Sequence, residues 1–327
     1  MGTGGIGTGE IYLLEGNHDL GRNESRMGHL LAVRDFCKLH IIFHYLAILI
    51  KDLEIDIRIY PIGAIGDDAA AGELYEMMKN TGMDMEFVAV MKKTPTLHSV
   101  CFLYPDHSGG NITESQSASS KVTADMISGA EKILRKYKSI VLAVPEIPLA
   151  SRMELINMGN RYHAYVLGSF LIDEIDTVMT QDLLKKINLL SVNLDEAAAI
   201  ARLPLNSSIE EIVHGCIKEA IKINPGMRLC ITCGSRGMYG YDRGKVEFMS
   251  VLNTEVNNTA GAGDAVLSGI ITGIILGLPF IGDKKRSCIR LGRLIGAMSV
   301  TSEDTINFNI NLQNLLKFQE IHGEDIL

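Results

Sequence analysis

Helical and strand-like segments alternate along the chain from residue 123 to its end. The strand-like runs are short and apolar, whereas the segments between them carry apolar residues at helical spacing. Repeated strand–helix units of this kind predict a mostly parallel β-sheet covered by helices on both faces. Strands are expected at residues 139–144, 162–167, 188–192 and 229–233. Because ligands of such sheets bind outside the carboxyl ends of the strands, a site is expected at that edge.

The composition indicates a globular protein with a large core. Apolar residues make up 46% of the 327-residue chain and charged residues 21%, which argues against wholesale disorder. We therefore expect a single α/β domain over residues 1–327. The net charge of −8, without a basic cluster, argues against a nucleic-acid partner. Six scattered cysteines fit reduced thiols in a cytoplasmic protein, and no signal peptide or membrane-spanning segment is visible.

The most informative motif is the turn Gly261-Ala262-Gly263-Asp264, which opens an apolar run that reads as a buried helix. The free N–H groups and the positive dipole end of a helix N-terminus bind anions. A carboxylate in the same turn, Asp264, could take a proton from a hydroxyl that attacks a bound phosphate. The turn therefore indicates phosphoryl transfer. A glycine-rich turn that caps a core helix, with Asp264 as a dipole partner, is the alternative.

Together with Thr259, this turn resembles the C-terminal signature of the ribokinase-like (PfkB) carbohydrate kinase family. In that family the aspartate is the catalytic base and the glycine-rich backbone forms an anion hole. The resemblance implies these roles for Asp264 and for the three residues before it, and it places Thr259 in the nucleotide site.

The same resemblance implies a ribokinase-like three-layer α/β/α sandwich with a mostly parallel central sheet. A small β lid would be contributed by about residues 10–20 and 96–118. The implied activity is that of an ATP-dependent kinase which uses Mg²⁺ and phosphorylates a hydroxyl of a small sugar or nucleoside. The lid would exclude water as a competing acceptor. Because lids of this family often pair, a homodimer through the lid is expected by analogy.

Two further motifs are similar to nucleotide-binding elements of the family. Asn193 and Glu196 match its NxxE element, which holds Mg²⁺ largely through water. A helix cap explains the same pair equally simply. Thr232, Gly234 and Gly237 match its TxGxxG stretch, in which the backbone approaches the phosphates. The alternative there is a plain tight turn between strands.

The acceptor side is predicted from weaker resemblances. Residues 63–72 are similar to the family's first signature and place Asp67 near the substrate. Glu10 aligns with a position where many members carry a substrate-binding Asp. Asn111 belongs to the predicted substrate loop, which we expect over residues 105–120 without regular secondary structure.

Three departures from the family pattern affect the acceptor half and the start of the chain. The GG-x-x-x-N element is missing from residues 35–44, where His40 could substitute or could be a buried core histidine. Asn258 stands where many members have Asp, which weakens the case for activation by a monovalent cation. Most of the strand that opens the family's sheet is expected to be missing.

Two other functions are compatible with the sequence. The altered acceptor region suits a non-catalytic nucleotide- or sugar-binding protein on the same fold. Gly2, Gly4 and Gly7 formally match the fingerprint of nicotinamide-dependent dehydrogenases. That fingerprint needs a strand before it and a helix after it, and nothing precedes it here.

Overall fold

Two β-sheets and the helices around them form the part of the chain that the computed structural model describes, residues 1–31, 33–106, 109–282 and 285–327. The strands are β1 Gly2–Thr3, β2 Gly7–Leu14, β3 Gly28–Leu30, β4 Asp35–Phe36, β5 Pro61–Ile65, β6 Phe87–Val90, β7 Leu97–Leu103, β8 Gly109–Thr113, β9 Ile140–Ala143, β10 Tyr165–Gly168, β11 Leu189–Asn193, β12 Arg228–Thr232, β13 Met238–Asp242 and β14 Lys245–Met249. The α-helices are α1 Lys38–Asp52, α2 Ala69–Asn80, α3 Ala124–Ser128, α4 Glu131–Lys136, α5 Leu149–Arg161, α6 Ile175–Thr180, α7 Leu194–Ala201, α8 Ile209–Ile223, α9 Ala262–Ile275, α10 Cys288–Ser299 and α11 Leu312–Ile321.

The central sheet has nine strands in the order β14-β13-β12-β11-β10-β9-β1-β5-β6. All neighbours pair in parallel except at one edge, where β13 is antiparallel to both β12 and β14. Successive residues of β9 face opposite layers: Val141 and Ala143 belong to one buried apolar cluster and Leu142 to another. Apolar side chains on both faces require helices on both faces, and the predicted three-layer α/β/α fold is confirmed.

The first strand is present but reduced to two residues. Gly2 pairs with Pro61 of β5 on one side and with Leu142 of β9 on the other. The Thr3 hydroxyl donates to the Ile62 carbonyl at 2.8 Å. This short segment therefore occupies a central position in the sheet.

The second sheet contains five strands in the order β3-β2-β7-β8, with β4 paired to β2. It includes β8, whereas the sequence predicts no regular secondary structure over residues 105–120. The strand was not predicted because the glycines and polar residues of this stretch do not show the alternating pattern of a strand. His107 and Ser108 of that stretch lie outside the described residues. That this sheet serves as a lid on one domain stays a prediction.

Several helix boundaries differ from the sequence-based expectations. The apolar spacing over residues 123–137 predicts one helix, which the structure divides into α3 and α4 at Gly129 and Ala130. Residues 183–186 form a 3₁₀ turn, and α6 before them was not predicted. The apolar pattern of residues 35–50 predicts a helix from Asp35, but α1 begins at Lys38, because Asp35 pairs with β2. Within the described ranges no helix is long and apolar enough to cross a bilayer.

Helices α9 and α10 pack with their backbones close together. A Cβ atom added at Gly269 of α9 would lie 2.7 Å from the Gly292 Cα atom of α10 and 2.8 Å from the Leu291 carbonyl oxygen. Only glycine permits this approach. The contact fixes the helix that begins at the Gly261–Asp264 turn.

We expect Gly269→Ala to lower the free energy of unfolding by about 1–3 kcal/mol, because the added methyl group overpacks a backbone contact. Alanine's higher helix propensity offsets part of this loss. Gly72→Ala in α2 is the matched control, since a Cβ there meets nothing within 4 Å. It should gain up to about 1 kcal/mol. Urea unfolding measures both, and a stabilising Gly269→Ala would contradict the packing described.

Candidate active site

A cleft of about 880 Å³ lies where the carboxyl ends of β11 and β12 meet the N-terminus of α9. It brings together all of the residues predicted for catalysis and nucleotide binding. They are Asn193, Glu196, Thr232, Gly234, Gly237, Thr259, Gly261, Ala262, Gly263 and Asp264. These residues are spread over more than 70 positions of the sequence, and their convergence follows from the parallel arrangement of the strands.

The turn that opens α9 depends on one left-handed glycine. Gly261 has φ +76°, and a Cβ atom there would lie 2.9 Å from the Thr305 carbonyl oxygen. The Ala262 N–H group closes the turn by donating to the Thr259 carbonyl at 3.2 Å. Among the described residues the N–H groups of Gly263 and Asp264 find no hydrogen-bond acceptor. Two donors at a positive helix end are therefore available to an anion.

Asp264 lies at the wall of the cleft beside an ammonium group. Its Oδ1 atom is 3.5 Å from Lys38 Nζ, and the side chains are 13% and 34% exposed. Burial raises the pKa of the Asp264 carboxyl, while the Lys38 ammonium opposes that rise. The charge of Asp264 in turn raises the pKa of Lys38. The result is a carboxylate that stays accessible and is more basic than one in water.

Glu146 is a third ionisable side chain beside Asp264 and Lys38. Neither Glu146 nor Lys38 was identified as a site residue from the sequence. The Glu146 Oε2 atom accepts from the Lys38 N–H group at 3.3 Å. Burial raises the pKa of Glu146 to about 7, with Lys38 opposing the rise and Asp264 adding to it. The available signal was position: Glu146 is a lone charge just after a predicted strand, at the edge where ligands bind.

Asn193 and Glu196 form a capping box at the start of α7. The Asn193 Oδ1 atom accepts from the Glu196 N–H group at 2.8 Å, and Glu196 Oε2 accepts from the Asn193 N–H group at 2.9 Å. Burial raises the pKa of Glu196. Within the described residues its Oε1 atom accepts no hydrogen bond, so one carboxylate oxygen is left for water or a cation.

No group of three or more His, Cys, Asp and Glu side chains is arranged to hold a metal ion, as far as the described residues go. A Mg²⁺ ion fits this setting only in the form that keeps most of its waters and binds the phosphates of a nucleotide. Glu196 is then the residue that would hold it through water.

The turn after β12 places a hydroxyl opposite the start of α9. Thr232 Oγ1 is 3.9 Å from the position of a Cβ atom on Gly263. Gly234 and Gly237 have φ values of +59° and +97°. A Cβ on Gly237 would lie 2.3 Å from the Met249 carbonyl oxygen. Both glycines are thus needed for the turn itself, whatever it binds.

The residues predicted for acceptor binding lie outside this cleft. Glu10 is exposed on β2 and accepts from the Tyr12 hydroxyl at 3.2 Å. Asn111 is exposed on β8. The Asp67 carboxylate accepts a hydrogen bond from the Lys93 N–H group at 3.1 Å. It thereby connects the end of β5 to the loop before β7.

The prediction that His40 contacts a substrate is corrected. The residue is fully buried, and its ring packs edge-on against Phe36 at 4.8 Å. Its ring nitrogens have no hydrogen-bond partner in the described structure, and burial lowers its pKa to about 3. It is a neutral core side chain, which agrees with the alternative interpretation of this histidine.

The dehydrogenase alternative is also excluded. Gly7 begins strand β2, so no helix follows the Gly2–Gly7 motif. A Cβ atom on Gly4 would lie 2.4 Å from Val144, and one on Gly5 would lie 2.5 Å from Glu146. These glycines make room for neighbouring side chains and leave none for a pyrophosphate.

Comparison with known proteins agrees with this geometry. The pfkB family carbohydrate kinase model matches residues 47–311, which is most of the chain. The chain belongs to this family of kinases. A ribokinase from Schizosaccharomyces pombe is 22% identical over 265 residues, 79% of this chain and 81% of the relative.

Solved structures show the same fold. A nucleoside kinase from Burkholderia thailandensis in complex with inosine has a TM-score of 0.75 at 16% identity and covers 99% of both chains. A ribokinase from Arabidopsis thaliana complexed with ribose and ATP has a TM-score of 0.70 at 18% identity and covers 97% of both chains. The ribokinase-like fold of this pfkB member is thereby shown.

This pfkB member is expected to show a pH-dependent stability that depends on Glu146. Because the pKa of Glu146 rises from 4.5 to about 7 on folding, its ionisation opposes folding increasingly across that interval. Glu146→Gln removes this cost. The free energy of unfolding of the variant relative to the natural protein should increase by roughly 2 kcal/mol between pH 5 and pH 8.

Urea unfolding at several pH values measures this trend. Glu73→Gln, which removes an exposed carboxylate on α2, is the control and should show no comparable change. A stability difference for Glu146→Gln that stays constant with pH would show that this carboxyl is not shifted by burial.

Proposed function

We propose that this protein transfers the γ-phosphoryl group of ATP to a hydroxyl of a small sugar or nucleoside. The proposal rests on the geometry at the start of α9. There the unpaired N–H groups of Gly263 and Asp264 lie next to the Asp264 carboxylate. A phosphoryl group held by those amides and a hydroxyl beside that carboxylate would be adjacent.

Asp264 acts as the general base in this reaction. It takes the proton of the acceptor hydroxyl as that oxygen attacks the γ-phosphorus, and the bond from the γ-phosphorus to the bridging oxygen of ADP breaks. The unpaired amides of Gly263 and Asp264 stabilise the charge on the transferred group. The Ala262 amide, included in the predicted anion hole, is already bonded to Thr259. Its contribution is to hold the turn.

Lys38 and Glu196 support the nucleotide side. The Lys38 ammonium lies 3.5 Å from Asp264 and can move from the carboxylate to a phosphate oxygen when the nucleotide binds. Glu196 would hold Mg²⁺ through water, with Asn193 fixing its orientation. The ion would supply charge neutralisation of the triphosphate. Thr232, Gly234, Gly237 and Thr259 line the same cleft and would contact the nucleotide.

The acceptor would bind on the side of Lys38 where Glu146 lies. Glu146, with a pKa of about 7, can accept or donate a hydrogen bond to a hydroxyl near neutral pH. Glu10 and Asn111, on strands of the small sheet, would reach the acceptor only after that sheet closes over the cleft. Asp67 follows β5 of the central sheet and would not move with it. A sugar or a nucleoside would both offer the required hydroxyls, and relatives of both kinds share this fold.

A homodimer through the small sheet is part of the proposal. Leu30 on β3 and Ile112 on β8 are 55% and 66% exposed. A second copy of the chain that paired with this sheet would bury these exposed apolar side chains, which favours pairing.

A non-catalytic binding protein on the same fold is the second candidate. The missing GG-x-x-x-N element favours it, because helix α1 begins with Lys38-Leu39-His40 and offers no amide side chain to an acceptor. A binder would be stabilised by Mg-ADP or a sugar and would yield no phosphorylated product from any acceptor.

Replacing the proposed base should separate these functions. Asp264→Asn is expected to lower kcat by about 10³-fold, because a general base contributes 10²–10⁴-fold. The dissociation constant for Mg-ADP should change little, since the amides that bind phosphate remain. Coupled ADP release and detection of the phosphorylated acceptor by mass spectrometry measure turnover, and calorimetry measures binding.

The control is Asp125→Asn, which removes an exposed first-turn carboxylate from α3 and should leave kcat unchanged. Near-normal turnover in Asp264→Asn would show that another group is the base. Absence of product from the natural protein with every sugar and nucleoside would favour the binder.

A further inference from the structure

The segment before the Gly261–Asp264 turn is fastened to the loop after α10 by a buried amide. Asn258 is 6% exposed. Its Nδ2 atom donates to the Glu303 carbonyl at 2.7 Å. Its Oδ1 atom accepts from the Ala260 N–H group at 2.9 Å. One side chain therefore links the loop over residues 300–305 to the residue that precedes the Gly261–Asp264 turn.

That loop supports the turn directly. The backbone N–H groups of Asn257 and Asn258 donate to the Val300 carbonyl at 2.8 and 3.3 Å. The Thr305 carbonyl oxygen lies 2.9 Å from the position of a Cβ atom on Gly261. A shift of the loop would therefore move the glycine that sets the direction of the free amides.

Whether residue 258 carries an amide or a carboxylate determines whether this link can form by hydrogen bonds alone. Many members of the family carry Asp at the position of Asn258. A carboxylate in the same position would set an oxygen 2.7 Å from the Glu303 carbonyl oxygen, with no proton between them. Two buried oxygens at that distance need a cation, because carboxylate and carbonyl oxygens are ligands of hard cations. The amide supplies an N–H donor instead.

We propose that Asn258 is a positioning residue that orders the phosphate-binding turn through neutral hydrogen bonds, and that this protein therefore works without a monovalent cation at that position. The donor that points at Glu303 does not fit a cation, since an N–H group and a cation repel each other. The kinetic part of this inference depends on the proposed kinase function, whereas the structural part does not.

The natural protein provides the first test. Its Tm and its dissociation constant for Mg-ADP are compared in KCl, NaCl and choline chloride at equal ionic strength, together with kcat and KM for ATP. All four quantities should agree among the salts, with kinetic differences below about twofold. A clear activation or stabilisation by KCl over choline chloride would overturn the proposal.

Asn258→Asp provides the second test, because it should create the cation requirement that the natural side chain avoids. In choline chloride we expect kcat/KM for ATP to fall by about 10²-fold, since an unpaired buried charge costs several kcal/mol. The Tm should fall as well. In KCl most of both losses should be recovered. A variant whose losses are the same in both salts would contradict the proposal.

Asn257→Asp is the matched control. It makes the same change of charge one residue earlier, but Asn257 is exposed and donates to the Thr301 carbonyl at 2.9 Å from the surface. Because water can screen the new charge, no cation dependence is expected. If Asn257→Asp responds to KCl as strongly as Asn258→Asp, the effect is one of net charge and the proposal fails.

The two hypotheses fail separately. A protein that phosphorylates nothing in any salt refutes the proposed function, and its Tm and Mg-ADP affinity still decide the role of Asn258. If Asn258→Asp folds in neither salt, the comparison of salts with the natural protein decides alone.

Discussion

The close contact between Gly261 and the Thr305 carbonyl is the constraint on which the site depends. It requires a residue without a side chain in a left-handed conformation, and it directs the first turn of α9 toward the carboxyl edge of the sheet. The contact between Gly269 and Gly292 holds the same helix against α10. Because both contacts involve backbone, the unpaired amides of Gly263 and Asp264 are fixed in place before any ligand arrives, as electrostatic preorganisation requires.

The carboxyls around this turn outnumber the ammonium group beside them. Burial raises the pKa of Asp264, Glu146 and Glu196, the charge of Asp264 adds to the rise in the other two, and Lys38 opposes the rise in all three. Arg236 and Arg293 also line the cleft. A Mg²⁺ ion that arrives with a nucleotide would relieve the repulsion among the carboxyls at the turn.

Features encoded locally were predictable from the sequence. The alternation of apolar strands and helices gave the parallel sheet, and the turn at Gly261 to Asp264 was recognisable because small residues, an acid and an apolar helix follow one another directly. The capping boxes at Asn193 and Ser208 are local as well. In each case the residues that define the feature lie within one or two turns of each other.

Features formed by distant segments were not predictable. Lys38 and Glu146 meet across 108 positions, and neither lies in a motif that names its partner. The strand β4 forms only because β2 lies beside it, so its residues were assigned to the following helix. His40 illustrates the opposite error. A histidine on an apolar helix looks like a ligand, but only packing against Phe36 shows that it belongs to the core.

The central claim is that the unpaired amides at the start of α9 bind the phosphoryl group beside Asp264. A crystal structure with Mg²⁺, a non-hydrolysable ATP analogue and an acceptor tests it most directly. Oxygens of the γ-phosphate should lie about 3 Å from the Gly263 and Asp264 nitrogens, with an acceptor hydroxyl in contact with the Asp264 carboxylate. A γ-phosphate bound elsewhere in the cleft, with those two amides still unpaired, would contradict the account.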